Sequence, residues 1–262
     1  MFRRLRRLFR EEVDRRESRG LHRLRLTEQA LESGLARYRF AGSLVSGKVV
    51  LDVACDSGYG TAHLLKSGAR RVVGVDVSER ALDYARQQSL RQGINFIRAE
   101  ASRLPFKEGS FQVIVSFETL EHLSASDEFL SEVVRNLSPS GLFILSTLNR
   151  RVFSPFFRSS YFPLHKKEYA LGELVALLNR FFESIDFFGQ ELISRWPLLH
   201  YGQRLYHRFF PRRMRQSAGR FLPGVRSFRS PFTRRRTEII PLSEIRRGEP
   251  MYFVAVAAKP HF

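Results

Sequence analysis

The chain has 262 residues, 43% of them hydrophobic, enough to bury one full core plus an elaboration or arms. Its single cysteine, Cys55, excludes an internal disulfide and any zinc site built on several cysteines, and no stretch approaches the roughly 20 apolar residues needed to span a bilayer. The net charge of +18 is concentrated in two arms: residues 1 to 26 hold ten arginines against four acids, and residues 201 to 237 hold eleven against none. The centre is therefore an ordinary, nearly neutral globular domain. The arginine-rich start has no apolar run of the kind a secretory signal needs, so a cytoplasmic protein is expected.

In chain order, Phe2, Leu5, Phe9 and Val13 share one narrow arc of a helix whose other faces carry Arg3, Arg6, Arg7 and Arg10. Such a cationic amphipathic helix suits peripheral association with an anionic membrane, or else packs its apolar stripe on the domain itself. Residues 14 to 36 read as helical and charged, with Gly20 and Gly34 as breaks, and residues 34 to 47 read as a loop ahead of the first strand. From Val49 strands and helices alternate, the pattern of a parallel sheet covered on both faces. Val49 to Val53 is the first strand, followed by a loop of small residues and an amphipathic run from Thr61 to Lys66. Arg71 to Asp76 is the second strand, Ser78 caps a helix from Glu79 to Gln92, Asn95 to Arg98 is the third strand and Phe111 to Phe117 the fourth. A helix from Ser126 to Leu137, stopped by Pro139-Ser140-Gly141, leads to a fifth strand from Leu142 to Thr147. Leu171 to Phe182 is helical, Ser184 to Phe188 a sixth strand and Met251 to Ala257 a seventh. Between the last two lies an insertion in which Leu198, Tyr201, Leu205 and Phe209 share a helical face up to Pro211. The domain organisation expected is a basic arm over 1–36, a core over 37–190, an arginine- and aromatic-rich insertion over 191–250, and a final core strand over 251–262.

The chemistry sits at strand ends. Val49 to Thr61 is strand, tight loop, helix, which lets a ligand approach the backbone while helix N–H groups face it. Asp76 ends the second strand, where a carboxylate can accept hydrogen bonds from both ribose hydroxyls of an adenosine moiety. The loop reads Ala54-x-Asp56-x-Gly58-x-Gly60 and does not fit the G-x-G-x-x-G of a dinucleotide site.

With these pieces in this order, the chain resembles a class I S-adenosylmethionine-dependent methyltransferase of the ubiquinone-biosynthesis-like type. The likeness runs from about Ala36 to Gln190 and returns at the last strand. It implies an α/β fold: a doubly wound, Rossmann-like, seven-stranded, mostly parallel sheet with helices on both faces and an antiparallel last strand. It also implies S-adenosyl-L-methionine as cofactor, with Asp52, Ala54 and Gly58 at the methionine end, Asp76 and its neighbour Val77 at the ribose, Glu100 and Ala101 bordering the adenine, and Phe117 at the end of the fourth strand. Gly is usual in the family where this chain has Ala54 and Asp56; an Asp tolerates φ > 0 better than most residues. Glu118, Glu121 and His122, at i, i+3 and i+4, would share a helix face and could gather a divalent cation, as the equivalent string does in some quinone O-methyltransferases; the alternative is a packing network, and no metal is expected. His165, in a His-x-x-Glu-aromatic string, and His122 are the candidate general bases, a lid role being the alternative. Phe156, Phe157, Tyr161 and Phe162 would line an acceptor pocket or close a lid. The implied activity is O-methylation of a small molecule, saccharide or lipid-linked glycan. An RNA-modifying or nucleic-acid-binding protein is the alternative, with basic arms in its favour and no base-methyltransferase signature, and a degenerate non-catalytic member is the third.

Overall fold

The computed structural model describes residues 28–89, 93–154, 164–193, 238–245 and 249–261. The helices expected over residues 2–13 and 198–209, and the aromatic cluster of residues 156–162, lie outside the described residues. Helix α1 spans Glu28–Gly42, then β1 (Val49–Val53), α2 (Tyr59–Lys66), β2 (Arg71–Asp76), α3 (Glu79–Ser89), β3 (Asn95–Arg98) and β4 (Phe111–Phe117). A 3-10 turn at Leu120–His122 precedes α4 (Ser126–Asn136), β5 (Leu137–Leu148), the short α5 (Arg150–Phe153), α6 (Leu171–Leu178), β6 (Phe182–Ile193), β7 (Ile239–Pro241) and β8 (Glu249–Pro260).

The sheet order is β3-β2-β1-β4-β5-β8-β6-β7, parallel from β3 to β5, with β8 running antiparallel between β5 and β6. After β1 the chain winds outward through β2 and β3, then returns to the other side of β1 at β4. That reversal opens a crevice above the carboxyl ends of β1 and β4, where ligands of such sheets bind.

Period-two burial along the central strands builds two cores. Val50, Val72, Val113, Val115, Ile144 and Val254 face α1 and α2, packing on Tyr38, Ala41 and Leu64. Leu51, Val53, Val73, Val75, Ile114, Phe143 and Leu145 face the other way, onto Phe129, Leu130 and Val133 of α4 and Leu174 and Leu178 of α6. Strands buried on both faces read as nearly unbroken apolar runs, which is why they were legible in the sequence.

All seven expected strands are present. The short edge strand β7, paired antiparallel with Phe188–Gln190, is an addition drawn from within residues 191–250; three residues carry no readable period. Gly34, expected to break a helix, does not, and residues 34 to 42, expected to be loop, are helical. Helix α1 passes through it, and a Cβ at Gly34 would lie 2.6 Å from the Tyr59 hydroxyl, so the glycine serves a close approach. Pro139-Ser140-Gly141 does not separate α4 from β5; it forms a bulge within the strand, where the pairing slips between Phe111 and Val113.

A buried carboxylate ties the layers together. Asp52, fully buried near the end of β1, accepts hydrogen bonds from the Tyr38 hydroxyl of α1 at 3.1 Å and from the Thr61 hydroxyl of α2 at 2.6 Å. Burial raises its pKa to about 7; the bonds from Thr61 and Tyr38 oppose the rise and the charge of Asp76 adds to it. Burial and the Asp52 charge in turn push the Tyr38 hydroxyl well above its usual value, so it stays a donor. Gly60 makes room for the ring, since a Cβ there would meet Tyr38 carbons at 1.9 to 2.3 Å.

Replacing Gly60 with Ala forces the Tyr38 ring out of place, and overpacking of this kind costs about 1–3 kcal/mol. A fall of roughly 3–10 °C in the thermal midpoint by circular dichroism is expected, from about 2–4 °C per kcal/mol in a domain of this size; an unchanged midpoint would refute the close approach. Because Asp52 holds its proton more tightly folded than unfolded, its ionisation withdraws stability as pH rises from about 4 to about 7. Asp52→Asn removes that contribution, so the urea midpoint of the variant should drop less between pH 5 and pH 8 than that of the native protein. Parallel pH profiles would mean that Asp52 is ionised in the fold at acid pH.

Candidate active site

The loop from β1 to α2 takes its shape from three left-handed residues, Ala54 (φ 59), Asp56 (φ 46) and Gly58 (φ 72). For a non-glycine residue this conformation costs about 1–2 kcal/mol, and strain of that kind collects where backbone must approach a ligand. A Cβ at Gly58 would come within 2.8 Å of Ala85 and Phe96, so that position admits glycine on two grounds. Cys55 points away from the crevice into a small core with Leu82, Ala85 and Phe96; burial pushes its thiol far up, and it serves as packing.

Asp76 locks the loop from the side. One of its oxygens accepts the backbone N–H of Asp56 at 2.9 Å, and the other that of Ser78 at 2.9 Å. A carboxylate has about four lone-pair positions, so two remain for a ligand after both bonds are made. Val77 stands beside it, 58% exposed, an apolar side chain at the mouth of the crevice. Ser78 receives the Ala81 N–H at 3.3 Å and caps α3. Glu100 and Ala101 follow β3 in a turn closed by the Arg103 N–H on the Glu100 carbonyl at 3.0 Å, with Glu100 exposed and Ala101 half-buried. Phe117, at the end of β4, lies edge-on to Tyr38 with ring centroids 4.9 Å apart. Asp52 itself lies beneath this loop, its oxygens directed to Tyr38 and Thr61.

After β4 the expected helix face is not formed. Glu118 has φ 52, and only a 3-10 turn, Leu120–His122, follows; a left-handed residue and three residues per turn scatter what a 3.6-residue period would align. Glu118 pairs with Arg37, Glu121 accepts from the Thr147 hydroxyl at 2.9 Å, and His122 Nδ1 lies 3.2 Å from the Leu164 carbonyl oxygen. Among the described residues no three His, Cys, Asp or Glu side chains converge on a metal position. Arg37, 4% exposed, also donates to the Gln190 side chain at 2.7 Å and stacks on Tyr252, so α1, the turn after β4, β6 and β8 meet at one guanidinium. Burial raises the pKa of Glu121, and one of its oxygens has no hydrogen-bond partner among the described residues.

The segment after β5 is pinned over this turn. The Lys166 and Lys167 N–H groups donate to the Glu121 carbonyl at 2.7 and 3.2 Å, and the Arg150 N–H to the Tyr169 carbonyl at 3.0 Å. His165 is thereby brought to His122, their rings edge to face with centroids 4.8 Å apart, and its Nδ1 lies 2.9 Å from Glu168. The two histidines, 43 positions apart in the chain, share one site. The sequence assigns no role to Arg37, Tyr38 or Thr61; the run Leu31, Leu35, Tyr38, Ala41, all buried at helical spacing, is the signal for Tyr38.

Residues 51–145 match the family described as methyltransferase domain. The chain is 37% identical over 134 residues, 51% of each chain, to a probable S-adenosylmethionine-dependent methyltransferase of Mycolicibacterium smegmatis. It is 37% identical over 109 residues, 40% of this chain and 46% of the other, to the ubiquinone biosynthesis O-methyltransferase of Nitrosococcus oceani. Thus it spans about half the length of the curated relatives it matches. In architecture it is similar to the crystal structure of an S-adenosylmethionine-dependent methyltransferase, possible histamine N-methyltransferase, from Thermotoga maritima, with TM-score 0.61 at 17% identity, covering 97% of this chain and 99% of that one.

The residues present fit the cofactor of this family. The left-handed loop and the glycine cradle at Gly58 leave backbone room at the end of β1, and the spare lone pairs of Asp76 suit a ribose diol. Strand order, loop conformation and family match agree over residues 51–145, which match the methyltransferase domain, and the surrounding fold is similar to that of S-adenosylmethionine-dependent methyltransferases.

Proposed function

We propose that the protein transfers the methyl group of S-adenosylmethionine to an oxygen of a small molecule, a saccharide or a lipid-linked glycan. One observation carries the cofactor half of the reading: Asp76 fastens the left-handed loop by its two backbone bonds and still presents acceptor capacity toward the crevice. When bound, S-adenosylmethionine supplies a sulfonium methyl, already an activated electrophile. The chain therefore needs to hold the cofactor, align the acceptor and remove a proton from it. Gly58, Asp76, Val77, Glu100, Ala101 and Phe117 would surround the cofactor, with Asp52 and Ala54 shaping the floor. His122 and His165 stand over the ends of β4 and β5 as the acceptor-side base pair. Support for oxygen as acceptor comes from this histidine pair and from the name of the Nitrosococcus oceani relative.

No helix among the described residues is long and apolar enough to cross a membrane. The arginine-rich segments 1–26 and 201–237 would instead hold the enzyme against an anionic surface that carries its acceptor.

Calorimetric titration with S-adenosylhomocysteine should show micromolar binding, weakened about 10- to 100-fold in Asp76→Ala, since hydrogen bonds to a charged group contribute about 1.5–3 kcal/mol. Absence of heat with the native protein would overturn the reading. Co-sedimentation of the full chain should rise with the fraction of anionic lipid and fall with salt; recovery in the supernatant at low salt would remove the membrane part alone.

A further inference from the structure

The carboxyl group of Asp52 is buried among hydrogen-bond donors with no counter-charge beside it. It belongs to the penultimate residue of β1, between Gly74 of β2 and Val115 of β4, where the strand order reverses and the crevice opens. Tyr38 of α1 and Thr61 of α2 donate to its two oxygens. Among the described residues the charged group that acts on it is Asp76 of β2, another acid. The other titratable groups around it are uncharged: burial pushes Tyr59 of α2 up to about 12, and drives Tyr38 and the Cys55 thiol of the loop far above their ordinary values. Arg37, the buried cation of α1, is engaged by Glu118 instead.

A buried carboxyl group without a cation has two ways to settle: it keeps a proton, or it takes positive charge from a ligand. In the protein alone the first holds up to near neutrality, since burial raises the Asp52 pKa to about 7. A cation in the crevice favours the ionised form, and by linkage the ionised form binds that cation more tightly. The two forms of the cofactor differ in this one respect. S-adenosylmethionine carries a sulfonium cation in addition to the ammonium and carboxylate of its amino-acid end, whereas S-adenosylhomocysteine, its methyl gone, has a neutral thioether at that place.

Resting on the methyltransferase reading, we propose that Asp52 is a specificity-determining residue: its carboxylate, acting by charge from beneath the left-handed loop, makes the site prefer the sulfonium form of the cofactor to the spent thioether. The bonds from Thr61 and Tyr38 favour the carboxylate and Asp76 opposes it, which balances the group near neutrality. Loss of the methyl removes the cation and with it the attraction, so the product occupies a site that fresh cofactor enters with preference. The preference is full above about pH 7, where Asp52 is ionised in the protein alone, and falls as acid protonates it.

Calorimetric titration of the full chain with each ligand, from about pH 5 to about pH 7, reads the ratio of their affinities; the α-amino groups common to both ligands stay charged in this window, so the ratio isolates the sulfonium. It should rise about tenfold in favour of S-adenosylmethionine, the effect of a cation that lowers a carboxyl pKa by about one to two units. In Asp52→Asn the ratio should stay flat, and Thr61→Val, which deletes a bond that favours the carboxylate, should move the rise to higher pH. Proton release, read from the heats in two buffers of different ionisation enthalpy, needs no variant and should be greater for S-adenosylmethionine than for S-adenosylhomocysteine. A ratio constant with pH in the native protein, equal proton release by the two ligands, or a rise that survives in natively folded Asp52→Asn would each overturn the proposal and leave cofactor binding, and so the methyltransferase reading, intact. Heat with neither ligand would overturn that reading and this inference together.

Discussion

The Asp52 carboxylate is the constraint on which the rest of the structure depends. It lies where β1 ends, beneath a loop that must rise, turn three times through left-handed conformations and enter α2. Burying a carboxyl group there without hydrogen-bond partners would be costly, and Tyr38 and Thr61 supply partners from the two helices that cover this face. The polar cluster therefore does what an apolar contact could not: it sets the height and angle of α1 and α2 relative to the strand. Gly60, which lets the Tyr38 ring through, is part of the same device.

Beyond the ends of β4 and β5 the same logic recurs. Arg37 joins α1 to the turn after β4, to β6 and to β8 through Glu118, Gln190 and Tyr252, and Glu121 is held by Thr147 of β5. Interactions of this kind are directional and strengthened by the low dielectric around them, so they specify one arrangement of the loops where apolar packing would tolerate several. The histidines inherit their placement from it: the backbone of the Glu121 turn holds the segment that carries His165, and the carbonyl of that segment orients His122. The loop after β1 and the histidine pair after β4 and β5 both sit at strand ends set by the strand order.

Most of the fold could be read from the chain because central strands buried on both faces appear as apolar runs and their helices as 3.6-residue periods. The readings failed where local signals meet tertiary demands. Gly34 looks like a helix break and is instead the point where Tyr59 touches α1. Glu118, Glu121 and His122 look like one helix face, yet the left-handed turn at Glu118 sends them to three different partners. β7 is too short to show a period and exists because Phe188–Gln190 offered an edge to pair with.

By itself the sequence determined the strand-loop-helix unit, the acid that ends β2 and the small residues between, because those follow from local propensity and from the steric needs of a backbone that approaches a ligand. It also determined that His122 and His165 come after β4 and β5. Only the tertiary structure decided that the Asp52 side chain is directed to Tyr38 and Thr61 below the loop, that Arg37 is buried, and that His165 meets both His122 and Glu168. Those outcomes depend on which hydrogen-bonding groups the packing of distant elements brings within about 3 Å of one another. Separation along the chain carries no record of that distance.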